Sequence, residues 1–355
     1  MIHTHEGVNH RAGELRVHSI DDTSEGWDRF VANAPHATFC HLSAWRGVMT
    51  DTLGHETRYL AVVDESTGAW EGVLPLVRMR TPLLGDHIVS VPFLNYGGPI
   101  GSPDARRMLV GAAEAYARDV GADTLQLRSR GGSAPGHAPL DHKITVLLDL
   151  PEDSDALLKA FPSKLRSQIR RPLKAGFEVR FGLEQIEAFY EVFARNMRDL
   201  GTPVHPRRLF HAIARRVPGA TVAVVYKGKR PVAAGFGFTF RDEFEITWAS
   251  SLREFSREAP NMLLYWSLME HVIEQGVRTF NFGRCSPDSG THRFKRQWGS
   301  RDVPLPWTLW ARDARHAAPS GDGRLFQIAT AAWQRLPLGV ANTLGPLIAP
   351  RLAAF

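Results

Sequence analysis

A pattern that occurs twice in the sequence constrains the fold more than any other feature. The segments RDVGADTLQLRSRG and EQGVRTFNFGRC each contain the end of a helix, a glycine, a threonine three residues later and a strand with alternating side chains. Gly121 matches Gly276, and Gln126 matches Asn281, at the same separation along the chain. Each glycine stands where the C-terminus of a helix favours a left-handed residue.

A second pair of similar segments lies upstream of each copy. LAVVDESTGAWEGVLPLVRMR and VAVVYKGKRPVAAGFGFTFR both indicate a strand, a turn that contains glycine, and a second strand. The repeat predicts two copies of a hairpin–strand–helix–strand unit, and a chance resemblance between two generic units is the alternative. Strands and helices alternate in both halves, so the predicted fold class is α+β (mixed α/β), with mixed sheets flanked by helices.

The length also supports two domains, because single hydrophobic cores usually stop growing below the 355 residues of this chain. The tail beyond Arg324 has no acidic residue, and Ile328 and Trp333 belong to its apolar face. This tail is either an interfacial membrane helix or a segment that docks on the second domain. The predicted division is a flexible leader at 1–14, an N-terminal domain at 15–150, a C-terminal domain at 151–312 and a basic amphipathic tail at 313–355.

The composition narrows the class of partner. The formal net charge is +6, which favours anionic partners such as RNA, anionic lipid or phosphorylated substrates. The two cysteines are far apart, so neither a disulfide framework nor a metal site is predicted, and a reducing cytoplasm is the expected location, with peripheral contact at the inner membrane surface as an option. The first twenty residues lack the apolar stretch of a secretory signal.

Two stretches of the second half are strongly basic. In SKLRSQIRRPLKAGFEVR, Arg166, Arg170 and Lys174 recur at helical steps on one face, and Lys164 shares another face with Ser167 and Arg171. The stretch is either a solvated basic face or a track for phosphates. In FNFGRCSPDSGTHRFKRQWGS, a buried strand breaks at a glycine and leads into a further cluster of basic side chains. This second stretch is either a surface helix or a pocket that holds an anion.

These two stretches, together with PFLNYGGPIG and FARNMRDLGTPV, resemble the FemAB-like proteins associated with the exosortase/PEP-CTERM exopolysaccharide system. The resemblance covers roughly residues 25–312. Members of the wider Fem family consist of two GNAT-like acyltransferase domains, so the resemblance implies a tandem GNAT-like fold. The better-known Fem proteins transfer amino acids from aminoacyl-tRNA onto the peptide of a lipid-linked cell-wall precursor. The long coiled-coil insertion that some of them carry does not occur in this sequence.

The resemblance implies catalytic roles for the FGR and FKxxWG motifs. An amine would attack an activated acyl ester or thioester, and Lys295 would stabilise the negative carbonyl oxygen or bind phosphates of the donor. Arg284 would bind an anionic group of the donor or the acceptor. His292 and Asp288 are candidates for the base that deprotonates the amine, although each is also a plausible loop cap. Trp298 is a candidate platform for stacking a nucleotide base.

Two further motifs are candidates for binding the acceptor. Asn95, Tyr96 and Gly97 follow a strand, where a glycine turn either closes a loop or lets a sugar or peptide approach the backbone. Asn196 lies on a predicted helix and faces either a pocket or the surface.

The donor stays open between two classes, and no tightly bound cofactor is predicted. An acyl-CoA or acyl carrier protein donor usually needs a glycine-rich turn before a helix, but SLREFSREAPNML contains no glycine. An aminoacyl-tRNA donor would instead use the basic side chains of both stretches, namely Lys164, Arg166, Arg170, Lys174, Arg293 and Arg296.

The resemblance and the residues together predict a Fem-like acyl/aminoacyltransferase that forms an amide on a cell-envelope or exopolysaccharide precursor. One alternative is a GNAT-type N-acyltransferase that uses acyl-CoA or acyl carrier protein. Another is a non-catalytic assembly factor that binds RNA or anionic lipid. A lipid-linked or saccharide acceptor, and membrane contact through the tail, belong to the first hypothesis.

Overall fold

The computed structural model describes residues 14–21, 25–81, 85–140, 143–313 and 324–352, so most of the predicted leader lies outside the described residues. Two seven-stranded sheets form its centre. The strands, numbered along the chain, are β1 (Leu15–Ile20), β2 (Glu56–Asp64), β3 (Trp70–Thr81), β4 (Gly85–Val89), β5 (Ile100–Gly101), β6 (Thr124–Arg128), β7 (Ile144–Asp149), β8 (Phe177–Phe181), β9 (Ala220–Lys227), β10 (Arg230–Phe240), β11 (Glu243–Ser251), β12 (Thr279–Cys285), β13 (Arg301–Pro304) and β14 (Trp307–Ala311).

Both sheets are mixed, which confirms the predicted fold class. The first has the order β1-β2-β3-β4-β6-β14, with β5 beside β3, and the second has the order β13-β7-β12-β11-β10-β9-β8. Each sheet contains one parallel pair, β4 with β6 and β11 with β12. The two predicted hairpins are β2–β3 and β9–β10. The repeat seen in the sequence therefore corresponds to two sheets with the same order of strands.

The two sheets exchange a strand. β7 follows β6 along the chain but pairs with β12 of the second sheet, whereas β14 follows β13 and pairs with β6 of the first. Each sheet is thus completed by a strand from the other half of the sequence. The predicted boundaries at 150 and 312 assign β7 and β14 to halves whose sheets do not contain them.

The helices cover the sheets and fill the space between them. Side chains from both sheets share one central core, in which the long helix at 186–200 packs on β10 and β11. The bounds are α1 (Glu25–Asn33), α2 (Ala44–Gly47), α3 (Pro103–Asp119), α4 (Ser154–Ala160), α5 (Ser163–Lys174), α6 (Ile186–Leu200), α7 (Arg207–Arg216), α8 (Pro260–Glu274), α9 (Gly290–Arg296), α10 (Arg324–Gln334) and α11 (Leu338–Leu352), with short 3₁₀ or π segments at 39–41, 48–52, 183–185 and 253–258.

The helices that precede the repeated strands end where the sequence predicts. Ser102 caps α3, since its hydroxyl accepts a hydrogen bond from the N–H of Ala105. Gly121 follows α3 with φ +67°, and Gly276 follows α8 with φ +82°. Both glycines are left-handed, as the stop signals predict, and each directs the chain into the strand of the parallel pair.

The C-terminal tail docks on the protein. Ala341, Gly345 and Ala349 recur every four residues on the buried side of α11, and α11 packs against α6 and β3. A guanidinium N–H of Arg198 in α6 donates to the carbonyl of Leu336, 3.0 Å away, between the two tail helices. The structure thus shows that the buried side of α11 docks on α6 and β3, while the opposite side stays exposed. Among the described residues, no helix is both long and apolar enough to cross a membrane.

We predict that α11 docks closely only because Gly345 has no side chain. A Cβ atom there would lie 2.8 Å from the backbone N of Val204, so Gly345→Ala should lower the free energy of unfolding by about 1–3 kcal/mol. Gly339 is the matched control, because a Cβ there meets nothing within 4 Å. Gly339→Ala should leave stability unchanged or raise it by up to ~1 kcal/mol. Urea unfolding measures both, and equal midpoints for the two variants would contradict this packing.

Candidate active site

A cavity opens where the parallel strands of the second sheet separate. β11 and β12 pair only from Glu243 with Thr279 to Glu245 with Asn281. Beyond that point β12 bulges at Gly283, which has φ +70°. The gap between the diverging strands forms a cavity of about 410 Å³.

The walls of the cavity are largely aromatic and its charged groups are cationic. Residues from both halves of the chain and from α11 line it, and no Asp or Glu is among the described lining residues. The aromatic and apolar walls include Phe93, Phe193, Trp248, Tyr265, Phe282, Ala349 and Leu352, and the polar groups include Asn95, His205, Thr247, Arg284 and Lys295. The buried His205 Nδ1 and Thr247 Oγ1 have no hydrogen-bond partner among the described residues. This lining suits a ligand with an anionic end.

Lys295 is buried at one end of this cavity. It lies in the last turn of α9 and is 3% exposed. Its Nζ donates to the carbonyl of Gly283 at 2.7 Å and to that of Arg284 at 2.9 Å. Burial lowers the pKa of Lys295 to about 8. Two of the three N–H donors are therefore used by the bulge in β12, which leaves one for a ligand.

Arg284 lies beside Lys295 and forms no ion pair with any described acid. Its guanidinium carbon lies 5.2 Å from the ring centroid of Trp307, and no described residue accepts a hydrogen bond from it. Trp307 is itself fixed, because its Nε1 donates to the carbonyl of Asn95 at 2.9 Å. Burial lowers the pKa of Arg284, since the charge has lost solvent. A cation in this state binds an anion strongly.

A buried carboxyl network, which the sequence reasoning missed, lies behind the cavity. Glu245 is 2% exposed, and its Oε1 accepts from the Nδ2 of Asn95 at 2.7 Å. The Nδ2 of Asn281 lies 2.9 Å from an oxygen of Glu243 and 3.3 Å from Oε2 of Glu245. Burial, reinforced by Glu243, raises the pKa of Glu245 to about 8.

The same network connects the two halves of the chain. Arg130 forms an ion pair with Glu243 and lies over the ring of Tyr96, with 5.3 Å from its guanidinium carbon to the ring centroid. The signal that could have revealed this network is the sequence DEFEI. Glu243 and Glu245 share one side of a strand in which Phe244 is buried, and two acids on one side of a buried strand require partners.

The structure brings together some of the predicted site residues. Lys295, Arg284 and Asn95 line the one cavity, and Tyr96 joins the network behind it. Gly97 packs against Val91 instead, because a Cβ on it would lie 2.7 Å from Cγ2 of that residue.

Asn196 lies outside the cavity lining. Its Nδ2 donates to the hydroxyl of Ser250, 3.1 Å away, which joins α6 to the end of β11. The sequence predicts that Asn196 faces either a pocket or the surface. In the structure its amide instead pairs with another side chain between α6 and β11.

Three predicted roles are corrected by the structure. His292 Nε2 lies 3.0 Å from both oxygens of Asp302, and its Nδ1 accepts from the backbone N–H of Asp288. His292 and Asp288 therefore hold the loop before α9 in place, and neither lines the cavity as a base would. Trp298 is 1% exposed and packs edge-on against Phe161 in a hydrophobic cluster on the second sheet, so it cannot stack on a nucleotide base.

The predicted phosphate-binding side chains form two separate groups. Arg166, Arg170 and Lys174 line a groove of about 430 Å³ on α5, whereas Lys164 is exposed outside it. Arg171, which also lines this groove, donates to the carbonyl of Arg257 at 3.2 Å and so ties it to the segment before α8.

The other group is on α9. Arg293 donates to the carbonyl of Asp288 at 2.7 Å, and Arg296 lies 3.8 Å from Asp302. Both side chains stabilise their own loop, and neither lines the groove or the cavity.

We predict that Glu245 makes the stability of the protein depend on pH. Its folded pKa of about 8 lies above its ordinary value of about 4.5, so its contribution is complete below pH 4.5 and is lost as the pH rises through 8. The free energy of unfolding should fall across this window by on the order of 1–3 kcal/mol. Glu245→Gln should remove this slope in urea unfolding. Glu152→Gln, at a largely exposed carboxyl, is the control and should keep it. Identical slopes for Glu245→Gln and the unmodified protein would contradict the prediction.

Comparison with known proteins bears on the fold of the chain. Residues 160–296 match the family model of the acetyltransferase (GNAT) domain. No curated protein matches the chain. Among the solved structures that share its fold are the three that follow. FemX has 16% identity and a TM-score of 0.62, and the match covers 88% of this chain and all of FemX. A tandem GNAT protein from the clavulanic acid biosynthesis pathway has 16% identity and a TM-score of 0.53, and the match covers 86% of this chain and all of that protein. L-PGS from Bacillus licheniformis has 14% identity and a TM-score of 0.53, and the match covers 88% of this chain and 97% of that protein. Residues 160–296 thus match a GNAT acetyltransferase domain, and the chain shares the fold of the tandem GNAT protein.

Proposed function

We propose that this chain transfers an acyl or aminoacyl group to an amine inside the cavity between β11 and β12. The product is an amide on a cell-envelope or exopolysaccharide precursor, as in the Fem-like hypothesis. The observation that carries this proposal is that two cations, the buried Lys295 and the half-buried Arg284, line one cavity that contains no described acid. The FemX match over the full length of FemX supports the choice of a Fem-like reaction.

Lys295 stabilises the charge that develops during the reaction. When an amine attacks the acyl carbonyl, negative charge forms on the carbonyl oxygen, and the remaining N–H of Lys295 donates to it. The ester or thioester bond of the donor then breaks, and the departing hydroxyl or thiol takes up the proton that the amine loses. The carbonyls of Gly283 and Arg284 hold the ammonium group in place before the substrate arrives. A hydrogen-bond donor that is already oriented lowers the activation free energy by about 3 kcal/mol in a site of this kind.

Asn95 orients the attacking amine. Its Nδ2 donates to Glu245, so its Oδ1 is the group left to accept a hydrogen bond from the amine. Glu245 thus acts as a positioning residue that fixes the orientation of the amide. Arg284 binds a carboxylate or phosphate on the substrate and determines how deeply it enters the cavity.

The basic groove on α5 binds the donor, and its chemistry favours aminoacyl-tRNA. Arg166, Arg170 and Lys174 present several cations along one groove, which suits a run of phosphates. The helix start that would hold the pyrophosphate of acyl-CoA is less suitable, because Pro260 lacks an N–H at the first position of α8. Acyl-CoA and acyl carrier protein remain the donors of the alternative hypothesis.

The first prediction here concerns Lys295. Lys295→Met preserves the apolar stem but removes the cation, so we expect kcat to fall about a hundredfold or more with little change in KM. Arg284→Gln should mainly raise KM, because it weakens binding of the anionic group. Single-turnover transfer measured by mass spectrometry distinguishes the two effects. Arg301→Ala, at an exposed arginine, is the control. Unchanged kcat for Lys295→Met would remove this residue from the site.

The second prediction identifies the donor. The purified protein is incubated with charged tRNA and, separately, with acyl-CoA, and mass spectrometry shows which donor loses its acyl group. We expect deacylation of the tRNA. Replacing Arg166, Arg170 and Lys174 with Gln should weaken tRNA binding and reduce the slope of log K against log salt by about two, at about 0.7 per phosphate contact.

The control for this experiment replaces three exposed cations that lie elsewhere. Arg208→Gln/Arg215→Gln/Lys229→Gln alters the net charge equally but leaves the groove intact. Consumption of acyl-CoA in place of tRNA would establish the alternative donor. RNA binding without turnover of either donor would favour the non-catalytic assembly factor.

A further inference from the structure

The exposed apolar side chains of this protein are concentrated at its tail. Of the seven large hydrophobic side chains that are exposed among the described residues, five lie on the tail helices or at the end of α6. We call these five the tail face: Leu200, Ile328, Val340, Leu344 and Leu347.

The tail face lies on neighbouring helices, since both α10 and α11 contact α6. On α11, Val340, Leu344 and Leu347 follow one another at steps of four and three residues, so they share the side opposite the buried small residues. Leu347 is the most exposed of them, at 62%. Leu200 precedes Gly201, and a Cβ at Gly201 would contact Thr330 of α10, which places the end of α6 against the tail.

The charges around the tail face are positive. Residues 324–352 contain no Asp or Glu, and Arg335 and Arg351 are exposed on them. Asp199, the acid next to Leu200, is already paired with Arg198 at 2.7 Å. An apolar side flanked by arginines without acids is typical of a helix that lies in the interface of an anionic membrane.

We propose that the tail face binds the surface of an anionic lipid bilayer, with α11 lying in the plane of the headgroups. A second copy of the chain is a poorer partner, because a two-fold interface would place the same arginines against each other. The exposed leucines and valine would enter the boundary between headgroups and acyl chains, and the arginines would contact the headgroups.

The position of the cavity agrees with this orientation. α11 supplies Ala349 and Leu352 to the cavity lining, and α6 supplies Met197, one turn before Leu200. The two helices that form one wall of the cavity therefore also carry the tail face. Binding to the bilayer would bring the cavity close to the lipid surface, where it could receive an acceptor attached to lipid. The binding itself does not depend on the proposed function.

Co-sedimentation with vesicles tests the proposal without any substrate. The full chain is mixed with vesicles of phosphatidylcholine alone and with vesicles that also contain anionic phosphatidylglycerol. We expect binding to the anionic vesicles that weakens as salt is added. Leu344→Ser/Leu347→Ser should reduce the affinity tenfold or more, and Arg335→Gln/Arg351→Gln about fivefold per arginine.

The matched control is Leu173→Ser/Leu183→Ser, which replaces the two exposed leucines that lie outside the tail face. It should bind like the unmodified chain, and equal thermal midpoints show that all variants are folded. The proposal is overturned if Leu344→Ser/Leu347→Ser binds as well as the control. It is also overturned if binding is lost only when the α5 groove is neutralised, or if the chain is a dimer that Leu344→Ser/Leu347→Ser converts to a monomer.

Discussion

The side chain of Asn281 joins the features on which the site depends. Its Oδ1 accepts from the hydroxyl of Thr145 on the exchanged strand β7, at 2.6 Å, and from the N–H of Gly283 at the bulge, at 2.9 Å. Its Nδ2 then donates to the carboxyls of Glu243 and Glu245. Each of these groups is buried or nearly so, and an unpaired buried carboxylate is costly. The strand exchange, the bulge and the carboxyl network are therefore stabilised together.

Comparison of the two halves explains why the cavity forms in the second. β4 and β6 of the first sheet also separate after a short parallel pairing, but the position that corresponds to Gly283 is Arg128. Its guanidinium donates to the carbonyls of Val91 and Leu94 and fills the gap. In the second sheet the glycine leaves this space open, and a Cβ there would lie 3.0 Å from the carbonyl of Ile246. One residue thus distinguishes a filled gap from a cavity.

The sequence predicts the local features of this molecule better than the distant contacts. The hairpins and the stop glycines follow from spacing alone, because each depends on neighbouring residues. The exchange of β7 and β14 does not, since the repeat gives no signal for which sheet a strand joins. Nearness to Lys295 in the sequence suggests His292 and Asp288 as the base. In the structure His292 instead contacts Asp302, and both residues hold the loop before α9. Glu245 was missed because its partner, Asn95, is 150 residues away.

The charges of the molecule act over two different ranges. The groove on α5 is open to solvent, so salt screens its cations, and it attracts polyanions from a distance with little discrimination. Arg284 is half-buried beside aromatic side chains and has no anionic partner among the described residues, so its partial desolvation lowers stability until a ligand supplies an anion. A ligand without that anion leaves the guanidinium unpaired and therefore binds weakly. The groove would then govern how fast a polyanion associates, whereas the cavity would govern which substrate reacts.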